Sequence, residues 1–252
     1  MALPSEQETD GFYDDMTIKS KIDSFRLRRK LKRDKPHIWR VPSVNAVYIQ
    51  NYKVGTRSLR LAISKFLYEQ ETKNTVEDLG AEVVEALDKK YSHFMHLENM
   101  RSKWPEAFVF AFVRNPLSRL YSCYTNKITD AKRQGIKNQF QSFGIDFDIS
   151  FDDFVRFVAD VPDALSDRHF RSQSWFVSVQ GDIITDYLGK LENFEHDWGE
   201  LRDRFGFPAL AHKNSSSRRT EDFRKHYNPE TYQLALERYR VDIEMLGYED
   251  AV

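Results

Sequence analysis

Residues 107–113 read AFVFAFV, an unbroken apolar run and the strongest buried-strand signal in the chain. It leads directly into RNPLSRLYSCYTNKI, where Pro116 suits the first turn of a helix. A buried strand that feeds a helix needs covering layers and a neighbouring strand, and the chain offers one earlier. VNAVYIQ, residues 44–50, is β-branched and apolar; after a short loop, TRSLRLAISKFLYEQ, 56–70, sets Leu59, Ile63 and Phe66 at helical spacing. Strand–helix–strand–helix alternation predicts an α/β fold with a mostly parallel central sheet covered by helices.

The rest of the chain fits the same plan. Pro36 and Pro42 bracket an extended entry segment. TVEDLGAEVVEALDKKY predicts a second helix, with Thr75 and Asp78 placed as in a capping box, and YSHFMH a short strand after it. SFDDFVRFVAD, 150–160, predicts a capped helix, and DIITDYLGKLENF, 182–194, a strand followed by a turn. DWGELRDRFGF predicts a helix closed by Gly206, and NPETYQLALERYRVDIEMLGY, 228–248, one long final helix with Asn228 as its cap and Gly247 after its end.

The 252 residues, 40% of them hydrophobic, are enough for one packed domain, expected over 36–252 behind an N-terminal tail and basic helix at 1–35. Net charge is −1, so global charge argues against a nucleic-acid partner, and an anion site must be a local gathering of Lys and Arg. The single cysteine, Cys123, permits no intrachain disulfide and lies in an apolar helical pattern, which points to the core. No apolar run approaches the ~20 residues needed to cross a bilayer. The opening MALPSEQETDGFYDD lacks the basic start and apolar centre of a signal peptide. No cysteine–histidine set has zinc spacing and no G-x-S-x-G elbow occurs, so neither a metal nor a nucleophilic serine is expected.

Both strand–helix junctions carry phosphate-binding chemistry. In KVGTRS a helix begins at the mouth of a tight loop, where its free amides and dipole favour an anion. Gly55 permits close backbone approach, Thr56 and Ser58 bring hydroxyls, and Lys53 a mobile positive charge. The loop is neither G-x-x-x-x-G-K-[ST] nor G-x-G-x-x-G. Taken alone it also fits a capped helix with an exposed lysine. At the second junction Arg114 stands at the strand's carboxyl end, where open α/β sheets bind ligands and where a guanidinium can grip phosphate in bidentate fashion. Ser122 follows on the next helix, while Arg119 reads as a helix-surface base or an internal ion pair. Two anion sites on neighbouring strand ends suggest a ligand with two separated anionic groups.

NYKVGTRSLRLAI resembles the 5′-phosphosulfate loop of sulfotransferases that use 3′-phosphoadenosine 5′-phosphosulfate (PAPS), with Tyr52 where they usually have proline. FVRNPLSRLYSCYTNKI resembles their 3′-phosphate motif, in the form found in the carbohydrate sulfotransferases that include the chondroitin, dermatan, HNK-1 and heparan 2-O enzymes. The likeness continues through DRHFRSQSWF, DYLGKLENFEHDW and LERYRVDIEMLGYED. It implies a P-loop-like three-layer sandwich and sulfuryl transfer from PAPS, without a metal, to an acceptor hydroxyl, most naturally of a carbohydrate. It places the 5′-phosphate on Lys53 and the segment Val54, Gly55, Thr56, Arg57 and Ser58, and the 3′-phosphate on Arg114 and Ser122. Arg218 and Arg219, in a polar loop, stand where the family has a loop near cofactor and acceptor. His93 and His96 both occupy the place of the family's general base, and the choice between them stays open. His169 with Gln173 is implied to line the acceptor cleft, and Glu192 to be structural or cleft-lining.

Two other classes compete with that reading: a nucleotide or small-molecule kinase, which would need ATP and Mg²⁺, and a non-catalytic module for an anionic ligand. Most carbohydrate relatives are anchored Golgi enzymes with disulfides. This sequence therefore suggests a bacterial-type soluble, cytoplasmic enzyme or a catalytic domain freed of its anchor. Acceptor identity and oligomeric state leave no signature in the sequence.

Overall fold

The computed structural model describes residues 35–210 and 222–252. The basic N-terminal stretch and the loop with Arg218 and Arg219 lie outside the described residues. In chain order the elements are β1 (His37–Val41), β2 (Ala46–Gln50), α1 (Thr56–Thr72), α2 (Ala81–Tyr91), β3 (Ser92–Phe94), α3 (Leu97–Lys103) and β4 (Phe108–Val113). There follow α4 (Pro116–Tyr124), a π-helical turn (Thr125–Thr129), α5 (Asp130–Arg133), α6 (Phe151–Asp160) and α7 (Ser174–Val177). Last come β5 (Ser178–Val179), β6 (Asp182–Ile183), β7 (Tyr187–Lys190), α8 (Phe194–Phe205), α9 (Pro229–Arg238) and α10 (Arg240–Met245). The described chain forms two compact units, one of residues 35–115 and 173–210, the other of 116–172 and 222–252.

The first unit is built on a five-stranded sheet in the order β3-β1-β2-β4-β7. β2, β4 and β7 pair in parallel, whereas β1 is antiparallel to both β2 and β3. Four strands therefore share one direction and β1 alone opposes it. The extended segment between Pro36 and Pro42 is thus a central strand, with ladders on both sides.

Pairing sets the two faces. Trp39, Val41, Ala46, Tyr48, Phe110 and Phe112 share one face with the buried residues of α1 and α8, including Leu59, Ile63, Phe66, Trp198 and Leu201. Gly189 on β7 sits opposite Phe112, whose ring fills the space a side chain there would need. On the other face Ile38, Val47, Ile49, Val109, Ala111 and Val113 are equally buried, and α7 packs against β2. Apolar content on both faces of β2 and β4 is what a parallel sheet covered on each side demands. The result is an α/β fold with a mostly parallel sheet between helical layers.

The second unit is helical. Phe140 and Phe154 stack at its centre, and Phe170 meets both edge-to-face, with Phe143 and Phe157 also against Phe170. Ser150 caps α6 by accepting from the Asp153 amide at 3.1 Å, and Asn228 with Thr231 forms a capping box on α9. Arg119 is internal and not a surface base. It is fully buried and donates to the carbonyls of Arg171 at 2.8 Å and Arg168 at 3.1 Å, fastening that turn to α4. Cys123 is buried in the same helix.

Several boundaries differ from the sequence expectation. The second helix starts at Ala81 with Gly80 at its N-cap and no side-chain cap, so Thr75 and Asp78 form no capping box. The 182–194 strand is split into β6 and β7, and the following turn is a 3₁₀ turn, Leu191–Asn193, that runs into α8. The single final helix is broken at Tyr239, where ψ moves to 19°. Tyr239 is fully buried and donates its hydroxyl to the Phe170 carbonyl at 2.6 Å, so a tertiary bond sits at the break.

Candidate functional site

β2 and β4 are neighbours in parallel register, Ile49 beside Ala111, so the loop after β2 and the end of β4 emerge at the same edge of the sheet. That loop is closed on itself. The Thr56 hydroxyl donates to the Asn51 carbonyl at 2.7 Å, and the Tyr52 amide donates to Asn51 Oδ1 at 2.9 Å. Val54 is buried in the core beneath it, which pins the loop and leaves only its main chain to serve a ligand.

Lys53 has φ 70° and Gly55 φ 80°, two left-handed residues either side of Val54. Alternating handedness of this kind turns successive N–H groups toward one concavity, a backbone nest for anions. Gly55 is also required sterically. A Cβ there would meet Phe194 Cζ at 3.1 Å and Leu191 Cδ1 at 3.3 Å. Its carbonyl accepts the first turn of α1, from Ser58 at 3.0 Å and Leu59 at 3.2 Å. Among the described residues no hydrogen bond engages the amides of Gly55, Thr56 and Arg57, which open the positive end of a 17-residue helix. Arg57 is exposed and Ser58 half-buried beside them.

Arg114 is held by its main chain. The Gln173 side-chain amide pairs with it twice, accepting from Arg114 N at 2.9 Å and donating to Arg114 O at 2.7 Å. Gln173 is fully buried, and Asn51 Nδ2 lies 3.4 Å from the same Gln173 oxygen. One buried amide thus ties the end of β4 to the base of the β2 loop. The next amide, Asn115 N, donates to Glu192 Oε1 at 2.8 Å. With its backbone fixed, the Arg114 guanidinium reaches to 3.5 Å from the Lys53 carbonyl. Lys53, the three helix amides and Arg114 are therefore gathered around one loop.

Both ends of the Gln173 amide bond to the Arg114 main chain, and the side chain is fully buried. Glu192 acts here as an anchor for the strand end. Both roles arise from tertiary pairing that no local pattern announces.

The two histidines are separated by where β3 stops. His93 lies in the strand beside Ile38, so its ring is on the Ile38–Ile49 face, 5.5 Å from the Trp104 ring. Burial, with help from Lys103, holds its pKa below the usual histidine value. His96 is no strand residue. It is the exposed N-cap residue of α3, and its carbonyl accepts from Met100 N at 3.0 Å. β3 runs in the direction of β2 with β1 between them, so His96 follows the strand at the same sheet edge as the β2 loop. Two strand spacings, about 10 Å, separate β3 from β2.

Ser122 and His169 belong to the helical unit. Ser122 lies in α4 and its carbonyl accepts from Thr125 Oγ1 at 3.3 Å. His169 is largely buried, with Nδ1 2.6 Å from Asp167 Oδ1 and 3.3 Å from Gln139 Nε2. Burial pushes the Asp167 carboxyl up, but the His169 hydrogen bond and charge outweigh it and leave the group below its ordinary value. Asp167 therefore fixes the ring with the Nδ1 proton facing the carboxylate.

The loop and strand-end chemistry agrees with a comparison over most of the chain. The model of the sulfotransferase family matches residues 37–249. The chain belongs to the sulfotransferase family. The enzyme class that goes with this membership is PAPS-dependent sulfotransfer, with a hydroxyl as acceptor. No curated protein and no solved structure matches the chain. Among the described residues no helix of this sulfotransferase is long and apolar enough to cross a membrane.

Proposed function

We propose that this sulfotransferase binds PAPS at the carboxyl ends of β2 and β4 and transfers its sulfuryl group to a hydroxyl, most naturally of a carbohydrate. The observation that carries the reading is the convergence of Arg114 with the Lys53 loop, the guanidinium 3.5 Å from the Lys53 carbonyl. The donor set fits the group: three helix amides, an ammonium and a guanidinium, all of them donors. Bound PAPS supplies the sulfuryl group, whose bond to the 5′-phosphate oxygen breaks as the bond to the acceptor oxygen forms.

The protein's part is positioning and charge stabilisation. The amides of Gly55, Thr56 and Arg57 hold the 5′-phosphate, with the Ser58 hydroxyl beside them. Lys53 neutralises the charge that grows on the departing oxygen. Arg114 grips the 3′-phosphate, with Gln173 and Glu192 keeping the strand end in place. Ser122, Arg218 and Arg219 keep the roles the resemblance gives them, as does His169 toward the acceptor.

His96 is the better-supported general base. It is exposed and sits at the strand-end edge, whereas His93 is packed against Trp104 and disfavours a proton. His96→Ala is expected to lower kcat with little change in cofactor affinity. The family match runs through both compact units, which supports reading residues 36–252 as one catalytic domain.

Calorimetry with the product nucleotide, adenosine 3′,5′-bisphosphate (PAP), tests the assignment. Micromolar binding is expected for the parent protein and its loss in Arg114→Ala. Indifference of the parent to PAP, or undiminished binding in the variant, contradicts it.

A further inference from the structure

The layer between the β1–β2 half of the sheet and the helices α1 and α2 carries polar groups that no protein atom satisfies. Trp39 and Tyr48 are cross-strand partners, as are His37 and Gln50, and all four point to the face that these helices cover. Facing them, Arg60 and Ser64 lie one turn apart on α1, and Asp88 lies on α2. Trp39 Nε1, Tyr48 OH, Gln50 Oε1, Arg60 Nε, Ser64 Oγ and Asp88 Oδ1 are all buried without a hydrogen-bond partner among the described residues. Arg60 is in direct contact with Trp39 and Asp88, and Tyr48, Gln50 and Ser64 stand on the same facing surfaces. The Arg60 guanidinium lies 5.4 Å from the Trp39 ring centre and its Nη2 2.8 Å from Asp88 Oδ2. The other Asp88 oxygen stands 3.6 Å from His37 Nε2, a separation that invites a bridging molecule. Native folds leave only a few such groups per hundred residues unpaired, usually scattered, so six in one layer call for a partner.

We propose that this layer is a built site for a cluster of internal water molecules that joins α1 and α2 to β1 and β2. The chemistry selects the ligand. Trp39 and Arg60 offer only donors, Gln50 Oε1 and Asp88 Oδ1 only accept, and Tyr48 and Ser64 do both. An anion would face the oxygens of Gln50 and Asp88, and a metal cation would face the N–H groups of Trp39 and Arg60. A neutral molecule one heavy atom in size, donating and accepting at once, serves all six. The same α1 carries the Thr56 and Arg57 amides, and Gln50 leads directly into the Lys53 loop, so the cluster belongs to the support of that loop. The inference depends on no assignment of what the loop binds.

Tyr48→Phe and Ser64→Ala each delete one hydroxyl with little change of shape, and thermal unfolding of the full chain reads the result. A hydroxyl bonded to internal water is lost at a cost, and each midpoint is expected to fall by roughly 2–4 °C. A midpoint that is unchanged or raised overturns the proposal, because removing an unpaired buried hydroxyl does not destabilise. A high-resolution crystal structure of the parent protein supplies a readout independent of stability. Solvent peaks are expected within hydrogen-bond reach of at least two of these side chains. Direct pairing among the six atoms, with no solvent between them, overturns it as well.

Discussion

Replacing Gln173 with alanine should damage this protein from the inside, by releasing the strand end that carries Arg114. Gln173 is fully buried, and its amide makes two bonds to the Arg114 main chain, at 2.9 and 2.7 Å. Each is worth about 1 kcal/mol net, and leaving a buried amide or carbonyl without a partner costs about 1–3 kcal/mol. Truncation also opens a cavity, although relaxation of the strand end and entering solvent recover part of the loss. The expected cost is about 2–4 kcal/mol, a fall in thermal midpoint on the order of 4–16 °C for a chain of this size. PAP affinity should fall with it, measured well below the variant's midpoint, because the guanidinium no longer has a fixed base. Gln173→Glu is the sharper probe. It keeps the volume and the acceptor for Arg114 N but sets a carboxylate oxygen against the Arg114 carbonyl. If Gln173→Ala melts with the parent and binds PAP as tightly, the clamp assigned to this side chain is wrong.

Gly55→Ala forces an L-residue to φ 80° and pushes its Cβ to 3.1 Å from Phe194 and 3.3 Å from Leu191. The expected penalty is about 1–2 kcal/mol, read by denaturant titration, together with weaker PAP binding as the nest is distorted. For His93 the folded-state pKa lies below the ordinary 6.5, through burial and then Lys103. Its neutral form is therefore favoured on folding. That contribution is present above the unfolded value and is lost as pH falls from about 6.5 toward the folded value. His93→Gln should flatten this part of the stability–pH curve, and an unchanged slope would remove His93 as its source.

Much of the frame was legible because apolar runs and helical spacing report burial directly. VNAVYIQ and AFVFAFV became the adjacent parallel strands β2 and β4, and the helices at Thr56 and Pro116 begin where their loop and proline indicate. β1 was harder. HIWRV shows only as an extended segment between prolines, and its antiparallel place between β2 and β3 is set by long-range pairing. YSHFMH looked like a strand throughout, but Phe94 is its last strand residue and His96 starts a helix, so the two histidines differ by more than strand face. At the site, Lys53, Gly55 and Arg114 carried visible chemistry. The roles of Gln173, Glu192 and Arg119 did not, because each acts on the backbone of a residue far away in sequence, and only the fold brings those partners together.

The most direct test of the central claim is a crystal structure of the complex with PAP. The 5′-phosphate is expected within hydrogen-bond distance of the Gly55, Thr56 and Arg57 amides and Lys53, and the 3′-phosphate on the Arg114 guanidinium. Well-ordered PAP whose phosphates touch neither the Lys53 loop nor Arg114 would contradict it.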